Sequence, residues 1–492
     1  MKNDLAGRAK EIALKLTSWP SITGTADEAG FAEKLTDLLK GFDHVWTEKI
    51  AGDAARRSNV FAIKRGRSPK TIVLTGHFDV VSIEDFGVLK HLAFDCEILL
   101  PALISKLRAT GENAGALTDF ESGDFLPGRG LLDMKAGLAA GIAAIESYKG
   151  DATLLFVAVS DEEERSAGAR AAAPLLKSIA AEHKLDIQLV VNLDAISDQG
   201  DGSSGRVITY GSIGKQLITA FVVGKQTHAG YPQDGVNAAY VAAELVTEFE
   251  LAKDLSETTG AEVAAPPTAL YAKDLKQGYN VTTPAQTFVY WNTMQHQRSP
   301  DQVFELIMAH ARRAVDRAAQ RTGHAIDLIT YAALETLAGR KPSPRDARLD
   351  LPEQSRLATL EIVEAVHLAN PTVIIGFGSI PYPAVLMRDQ KLRATIEQAV
   401  LPFGIGSVNY FAGISDMSFF GEASGDLSLV AANAPIWGTG FTMPDAAGYP
   451  CINLGPWGRD YHQRLERLHA PYAFEVLPRA LLAVIEAVVK LG

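Results

Sequence analysis

Three short apolar runs, at residues 71–75, 153–159 and 187–193, recur along the first part of the chain. Each is rich in β-branched or large aliphatic residues with few polar interruptions, which is typical of strands buried on both faces, as in a parallel sheet. Each is followed within two residues by a histidine or a carboxylate. Because functional groups in such sheets collect beyond the carboxyl ends of the strands, we expect these side chains in one cleft.

Helical patterns separate these strands. Apolar positions at helical spacing predict amphipathic helices over 5–17 and 26–39, and the alanine-rich stretch 136–148 predicts another helix. With a further strand at 58–64, this order predicts a doubly wound α/β domain. The stretch 82–129 is longer than an ordinary connection, and we expect it to carry one or two helices and to wall the active site.

A polar, glycine-rich segment at 197–206 marks the start of a second domain. The pattern beyond it predicts a small α/β sandwich with elements at 207–210, 217–223, 237–250, 287–291, 300–319 and 326–331. A proline- and charge-rich stretch at 339–352 is expected to return the chain to the first domain, with elements at 355–368, 372–377, 390–400, 451–454 and 472–491. The predicted division is a catalytic domain in two parts with an inserted domain between them: 1–204, 345–492 and 205–344, respectively.

Composition narrows the classes of function. The chain has 47 Lys and Arg against 58 Asp and Glu, a net charge of -11 and no basic run, so binding to nucleic acid or to an acidic membrane surface is not expected. Its two cysteines, Cys96 and Cys451, lie far apart and indicate no disulfide framework. The N-terminus is charged where a signal peptide is apolar, and no run approaches the roughly 20 apolar residues of a membrane span, so we expect a cytoplasmic location.

The carboxylates and the histidine at the strand ends indicate a metal centre. His77, Asp79, Asp133, Asp194 and the acidic run 161–163 converge on one cleft, where so many carboxylates repel each other unless cations neutralise them. A mixed set of imidazole and carboxylate ligands suits Zn²⁺, with Mn²⁺ and Co²⁺ as alternatives. Two ions about 3.5–4 Å apart need one bridging carboxylate and at least one further ligand each. A helix cap at Asp133 and a solvated loop at 161–163 are the competing interpretations.

Several motifs in order along the chain resemble one family. Three of them lie in the first 168 residues: Gly76-His77-x-Asp79, Gly130-x-x-Asp133-x-Lys135 and Asp161-Glu162-Glu163-x-x-Ser166-x-Gly168. They resemble the co-catalytic zinc metallopeptidases, which include aminoacylases, succinyl-diaminopimelate desuccinylase and glutamate carboxypeptidase. Residues 228–238 are similar to the histidine motif of the inserted lid domain in that family, and 413–416 with 455–466 to its C-terminal metal-ligand region. The resemblance implies a zinc-peptidase-like α/β catalytic domain with a smaller inserted α/β lid, or dimerisation, domain.

The resemblance also implies the ligands of two divalent metal ions, with Zn²⁺ as the expected metal. His77 and Asp194 would bind one ion, Glu163 and His462 would bind the other, and Asp133 would bridge the two. Dimeric relatives further imply a homodimer that forms through the lid domain.

Three residues have implied roles other than metal binding. Asp79 would hold His77 and fix the orientation of its ring. Glu162 would be the general base that takes a proton from the bridging water, so that hydroxide attacks the amide carbonyl. His228 would reach in from the lid, in dimeric relatives from the partner subunit, and donate a hydrogen bond to the tetrahedral oxyanion.

The chain departs from the family where substrates are recognised. Many relatives carry an arginine for the substrate carboxylate on the strand that follows the lid sequence Asn-x-x-Pro. Here the stretch 280–284 is followed by 288–292 without an arginine, and Trp291 and Asn292 stand at that position. The long stretch 82–129 together with 377–383 is most similar to the arginine-utilisation (RocB-type) branch of the family.

The sequence therefore predicts a metal-dependent hydrolase that cleaves an amide bond in a small peptide or N-acyl amino acid, with a role in arginine or amino-acid catabolism. Three alternatives stay open. One is a dinuclear hydrolase of esters or phosphates, which would not explain the lid histidine motif. Another is a catalytically silent relative that binds a small molecule or regulates, which would not need the base Glu162. The third is a nucleotide-binding protein, suggested only by Gly376-Phe377-Gly378, which lacks the third glycine of a phosphate loop.

Overall fold

Two β-sheets, one of eight strands and one of five, organise the fold of this computed structural model, which describes residues 4–411, 413–437 and 446–491. The strands are β1 (His44–Lys49), β2 (Ser58–Lys64), β3 (Lys70–His77), β4 (Phe125–Pro127), β5 (Thr153–Val159), β6 (Asp186–Asn192), β7 (Ile196–Ser197), β8 (Val207–Thr209), β9 (Gly211–Ser212), β10 (Gly214–Val223), β11 (Thr258–Thr259), β12 (Glu262–Val263), β13 (Thr268–Asp274), β14 (Gln286–Gln295), β15 (Asp327–Thr330), β16 (Thr372–Phe377), β17 (Val385–Leu386), β18 (Gly406–Val408), β19 (Cys451–Asn453), β20 (Trp457–Arg459) and β21 (Arg467–His469). The α-helices are α1 (Leu5–Thr17), α2 (Ala26–Leu38), α3 (Cys96–Thr110), α4 (Ala114–Ser122), α5 (Ala136–Ser147), α6 (Ala167–His183), α7 (Ala238–Phe249), α8 (Pro300–Thr322), α9 (Tyr331–Ala338), α10 (Leu351–Ala365), α11 (Gln390–Val400), α12 (Met417–Phe420), α13 (Ser428–Ala432) and α14 (Leu477–Lys490).

The eight-stranded sheet forms the catalytic domain and has the order β1-β2-β5-β3-β6-β19-β8-β18. Strand β3 pairs in parallel with both β5 and β6, which confirms the buried parallel core predicted from the apolar runs. Alternate residues of β2 enter two different cores. Val60 and Ala62 lie on the face covered by α1, α5 and α14, whereas Phe61 and Ile63 lie on the face covered by α6. The domain is therefore doubly wound, as predicted.

The five-stranded sheet belongs to the inserted domain and has the order β13-β14-β10-β16-β15. Strand β10 lies at its centre and pairs in antiparallel fashion with β14 and β16. Ile218 and Val289 pack with α7 and α8 on one face of the sheet. Phe221 and Ile374 pack with α9 and α10 on the other face. The inserted domain is thus an α/β unit whose sheet is covered on both sides.

The chain passes between the two sheets at residues other than those predicted. Strand β8, assigned from the sequence to the inserted domain, pairs in parallel with β18 of the eight-stranded sheet. Strand β16, assigned to the second part of the catalytic domain, pairs with β10 and β15 of the five-stranded sheet. The smaller sheet therefore takes its strands from 214–377, and the predicted boundaries at 205 and 345 do not match the strand pairing. The reason is physical, because a short apolar run does not specify which sheet it joins.

The long stretch 82–129 contains the two helices α3 and α4, as predicted, and ends in the strand β4, which the sequence pattern did not predict. Strand β4 pairs with β21 in a small sheet of order β4-β21-β20-β7. Asp119 of this stretch accepts hydrogen bonds from Arg459 at 2.6 Å and from Arg467 at 2.7 Å. The stretch contributes no lining residue to the cleft described below. It instead supports the segment between β20 and β21, which carries His462.

Two further observations concern membrane-spanning helices and the reactivity of the cysteines. No helix in the described part of the chain is both long and apolar enough to cross a bilayer. Cys96 and Cys451 are free and buried. Burial raises the pKa of the Cys96 thiol to about 12, which keeps this side chain in its unreactive, protonated form.

Candidate metal centre

Strand ends and the loops beside them bring six of the predicted side chains into one cleft. The six are His77 at the end of β3, Asp133 before α5, Glu162 and Glu163 after β5, Asp194 after β6, and His462 between β20 and β21. All except His77 line a cavity of about 410 Å³. His77 contacts the same set through its Nε2 atom. The prediction that separate strand ends converge on one cleft is therefore confirmed in space.

Asp133 occupies the middle of this cluster. Its Oδ1 atom lies 3.2 Å from His77 Nε2, and its Oδ2 atom lies 3.1 Å from His462 Nε2. Beyond the two histidines, Glu163 Oε2 lies 3.0 Å from His462 Nε2 and Asp194 Oδ1 lies 3.8 Å from His77 Nε2. The two oxygens of one carboxylate thus face two different imidazoles, each of which has a second carboxylate beside it.

The ring of His77 is held by the residue two positions further along the chain. His77 Nδ1 lies 3.1 Å from the backbone carbonyl oxygen of Asp79 and 3.6 Å from its carboxylate. A hydrogen on Nδ1 can be donated only in that direction, which leaves Nε2 as the atom that faces the cleft. Asp79 therefore contacts the ring of His77 mainly through its backbone carbonyl oxygen, and its role in orienting that ring stays a prediction.

The carboxylate of Asp79 also holds the loop that carries the two glutamates. It accepts hydrogen bonds from the backbone N–H groups of Glu162 and Glu163, at 3.1 and 3.2 Å, and from the Thr23 hydroxyl at 2.9 Å. Burial raises the pKa of Asp79, but these hydrogen bonds and His77 lower it below its ordinary value. One ionised carboxylate thus ties the end of β3 to the loop after β5.

Asp161, the first acid of the run after β5, is structural. It is buried, adopts a left-handed backbone conformation (φ 65°), pairs with Arg57 and accepts a hydrogen bond at 3.0 Å from the backbone N–H of Ala167. This turn directs the two following glutamates into the cleft. The competing interpretation of 161–163 as a solvated loop is wrong for Asp161, whose side chain is fully enclosed.

The carboxylates of the cleft raise each other's pKa values. Burial raises the pKa of Glu162 well above its ordinary value, and the charges of Asp416 and Asp194 raise it further. Burial and the charge of Asp133 raise the pKa of Glu163 to about 7. The cluster is therefore unfavourable as a set of bare carboxylates, and a bound cation would relieve the repulsion.

The donor atoms fit divalent metal ions. Within the described chain, His77, Asp133 and Glu163 offer one ligand atom each, all within 4.8 Å of one another. Asp194 extends this group beside His77, and His462 extends it beside Glu163. Imidazole nitrogen and carboxylate oxygen are the ligands that Zn²⁺, Mn²⁺ and Co²⁺ accept in proteins.

His228 does not join the cluster within one chain. It lies after β10 in the inserted domain, is exposed, and accepts a hydrogen bond from the backbone N–H of Gly230 at 3.1 Å. It is absent from the described residues that line the cleft. A role for this histidine in the chemistry therefore requires either a movement of the inserted domain or a second copy of the chain.

Two buried residues without a predicted role support the ligands. Asn453 accepts a hydrogen bond from the backbone N–H of Asp194 at 3.0 Å and donates one to its carbonyl oxygen at 2.9 Å. Glu466 accepts hydrogen bonds from the backbone N–H groups of Gly130 and Leu132, at 3.0 and 3.3 Å, just before Asp133. Asn453 was detectable in principle, because it is a lone amide at the end of the apolar strand β19.

The doubly wound sheet, the inserted domain and the histidine and carboxylate cluster define the class as metal-dependent hydrolases. Residues 107–436 match the Peptidase family M20/M25/M40, and the chain belongs to that family. It is 31% identical to the uncharacterized protein YqjN of Bacillus subtilis (strain 168) over 528 residues, which covers 97% of this chain and 96% of YqjN. It is 26% identical to Protein RocB of the same organism over 532 residues, which covers 96% and 93% of the two chains.

Solved structures show the same fold. The aminopeptidase PepT from Bacillus cereus ATCC 10987 aligns over 99% of both chains, with a TM-score of 0.58 and 16% identity. The Bacillus subtilis YXEP protein, described as a dinuclear metal binding peptidase of the M20 family, aligns over 99% of this chain and 98% of its own, with a TM-score of 0.54 and 11% identity. Membership of the family makes the protein a hydrolytic enzyme that acts on amide bonds.

Proposed function

We propose that the protein holds two divalent metal ions and hydrolyses the amide bond of a small peptide or an N-acyl amino acid. The observation that carries the proposal is the position of Asp133, whose two carboxylate oxygens face different histidines at 3.2 and 3.1 Å. A carboxylate so placed supplies one oxygen to each of two neighbouring cations. Membership of a peptidase family supplies the class of reaction.

The proposed ligands divide into two sets around Asp133. His77 and Asp194 hold one ion, and Glu163 and His462 hold the other. This division is supported by the distance of 3.8 Å between His77 Nε2 and Asp194 Oδ1 and by the distance of 3.0 Å between His462 Nε2 and Glu163 Oε2. Zn²⁺ is the proposed metal, with Mn²⁺ and Co²⁺ as alternatives. The bound ions would polarise the amide carbonyl and lower the pKa of water.

Glu162 is the proposed general base, which takes a proton from the attacking water and passes it to the leaving nitrogen. Its carboxylate lies 3.9 Å from His77 Nε2, so it borders the ligand set without being its nearest member. Asp79 fixes its backbone at 3.1 Å. Burial raises the pKa of Glu162, which favours the uptake of a proton. Its neighbour Glu163 turns towards His462, so the two adjacent glutamates divide metal binding and proton transfer.

His228 is the proposed hydrogen-bond donor to the carbonyl oxygen as negative charge develops on it. Its exposure on the inserted domain and its distance from the cleft of its own chain support delivery by a partner subunit. A homodimer that forms through the inserted domain is therefore part of the proposal. The function of this histidine would then depend on assembly.

The metabolic role is proposed from similarity alone. The match to RocB over 96% of this chain supports a place in the arginine-utilisation branch, and thus in arginine or amino-acid catabolism. A cytoplasmic location stays the expectation from the sequence. The alternative of a catalytically silent relative predicts metal and ligand binding without turnover.

Release of free amine from a panel of dipeptides and N-acyl amino acids tests the proposed function. We expect hydrolysis by protein loaded with Zn²⁺ or Mn²⁺, loss of hydrolysis after treatment with a chelator, and recovery when the metal is restored. Cleavage of esters or phosphate esters, with every amide intact, would favour the rival dinuclear hydrolase. Binding of these compounds without turnover in the metal-loaded protein would favour the silent relative.

A further inference from the structure

Lys215 places a cation among the residues that line the cleft. It lies at the start of β10, in the inserted domain, and it is the only lysine or arginine among the described residues that line the cleft. Strand β10 crosses from the centre of the smaller sheet towards the catalytic domain. The side chain therefore faces the reaction site from the opposite domain to the proposed metal ligands.

The backbone around Lys215 is fixed to both domains. Its N–H donates to the carbonyl oxygen of Tyr382 at 2.8 Å, and the N–H of Tyr382 donates back to the carbonyl oxygen of Lys215 at 2.9 Å. On the other side, Lys215 is paired in register with Met294 of β14. Tyr382 and Met294 also line the cleft. Because the backbone of Lys215 is paired on both sides, the position from which its side chain enters the cleft is fixed.

Among the described residues, no carboxylate forms an ion pair with the ammonium group of Lys215. It is half-buried, and burial lowers its pKa with no described carboxylate close enough to oppose that effect. A desolvated cation is costly unless an anion or hydrogen-bond acceptor accompanies it. An anionic group on a bound substrate would satisfy this requirement.

A second cavity opens directly beside the cleft. Its volume is about 650 Å³, within the usual size range of ligand pockets. It shares five wall residues with the cleft: Ala195, Met294, Phe411, Gly413 and Tyr461. The two cavities therefore adjoin across these five residues. The adjoining cavity is near enough to the cleft to take the far end of a substrate that is bound there.

The walls of this second cavity are mostly apolar, with Ile196, Val207, Ile213 and Val408 among them. Its one described carboxylate, Glu262, is already engaged, because it accepts hydrogen bonds from the backbone and side-chain nitrogens of Asn409 at 2.8 and 2.6 Å. Among its described lining residues, the cavity thus offers mainly apolar surface and one carboxylate whose two oxygens are already hydrogen-bonded. An alkyl or aryl group is the kind of occupant that such walls stabilise.

We infer that the cleft selects an amide that carries a carboxylate for Lys215 on one side and a large apolar group for the adjoining cavity on the other. The inference rests on the proposed function and narrows its substrate to N-acyl amino acids or dipeptides with a free carboxylate and a bulky apolar part. Lys215 is then a substrate-positioning residue. It acts by pairing with the substrate, at a distance from the bond that breaks.

A set of four N-acyl amino acids tests both halves of this inference. The set combines an acetyl or an octanoyl group with either a free carboxylate or a carboxamide. For the free acids, Lys215→Met should raise KM about 30-fold or more, with a smaller change in kcat, because an ion pair in a desolvated site is lost. Lys215→Arg should restore most of the affinity. The carboxamides should not distinguish Lys215→Met from the wild type.

A separate variant tests the role of the adjoining apolar cavity. In the wild type, kcat/KM should rise by about fourfold for each added CH₂ until the cavity is filled. Val408→Phe, which narrows the cavity away from the metal ligands, should lower kcat/KM for the octanoyl substrate and leave the acetyl substrate unchanged. Lys253→Met, which removes an exposed lysine elsewhere in the inserted domain, is the control for Lys215→Met.

Binding measurements separate this inference from the proposed function. Calorimetry of the octanoyl amino acid with Glu162→Gln, with and without Lys215→Met, reports affinity where no turnover occurs. An equal loss for acids and carboxamides, or no loss for either, would overturn the role of Lys215. A flat dependence on chain length would overturn the role of the cavity. Failure of all amides to react, with the binding preferences intact, would instead contradict the proposed chemistry.

Discussion

A single carboxylate, that of Asp133, connects the two halves of the proposed centre. Each of its oxygens lies about one hydrogen-bond length from a different histidine, and each histidine has its own further carboxylate. Asp79 has a matching role behind the ligands, because it touches both the ring of His77 and the backbone of the glutamate loop. At the scale of single residues, carboxylates of the same type therefore differ in their proposed tasks because they contact different groups.

The change Glu162→Gln separates proton transfer from metal binding. The glutamine keeps the size of the side chain but cannot accept the proton of the attacking water. We expect kcat to fall by about 10³-fold or more while the metal content stays that of the wild type. The exposed Glu182, changed to glutamine, is the control and should keep the turnover of the wild type. Retained activity in Glu162→Gln would remove this residue as the base.

At the scale of elements, the loop before α5 depends on a buried ion pair. Glu466 accepts backbone hydrogen bonds from Gly130 and Leu132 and pairs with Arg129 at 2.7 Å, and both charged side chains are about 1% exposed. The long stretch 82–129 contributes to the same support, since Arg129 also pairs with Asp85 at 2.9 Å. The loop that presents Asp133 is thus positioned by groups that never touch the substrate.

The change Glu466→Ala should destabilise the protein by about 3 kcal/mol, because it leaves a buried arginine without one of its partners and two backbone N–H groups without an acceptor. Urea unfolding of the metal-free protein measures this effect. Asp346→Ala, which removes an exposed ion pair with Arg348, is the control and should leave the midpoint unchanged. A midpoint equal to that of the wild type in Glu466→Ala would show that this support is not needed.

Some elements could be predicted from the sequence and others could not, for physical reasons. Strands β2 and β5 were predicted at their observed bounds because they are buried on both faces and read as continuous apolar runs. Strands β1 and β13 were missed because they lie at sheet edges and none of their residues is buried. The bounds of β16 were correct, but its sheet was wrong, since pairing depends on partners far along the chain.

The functional site, like the fold, could be predicted from the sequence only in part. The metal-ligand candidates stand in motifs at strand ends, so sequence alone could gather them. Lys215 stands in no motif, and its place in the cleft arises only when β10 pairs with the segment that contains Tyr382. The adjoining apolar cavity likewise has walls from distant parts of the chain, such as Ile196 and Val408, and no local pattern predicts it.

At the scale of the whole molecule, the cleft lies between two domains, and the proposed assembly adds a second copy. His228 is exposed on the inserted domain and lies outside the cleft of its own chain. As a single substitution, His228→Ala should lower kcat and leave the metal content unchanged. A change in metal content would instead place this histidine among the ligands.

Mixing two inactive variants tests whether His228 acts across a dimer. Subunits of His228→Ala and Glu162→Gln are unfolded together, refolded together and assayed. In a mixed dimer, the chain that keeps Glu162 receives His228 from the partner subunit, so activity should return to one of its two sites. Each variant refolded alone is the control. No recovery in verified mixed dimers would contradict delivery of His228 by a partner.

The most direct test of a two-metal centre bridged by Asp133 is the metal content of Asp133→Ala, measured beside the wild type and Glu162→Gln. All three proteins are purified without a chelator, and metal per chain is determined by elemental analysis. We expect about two ions per chain in the wild type and in Glu162→Gln, and the loss of both together in Asp133→Ala, because a shared ligand is removed. One tightly bound ion in Asp133→Ala would contradict the bridging role, and a wild type that takes up no metal on titration would contradict the centre itself.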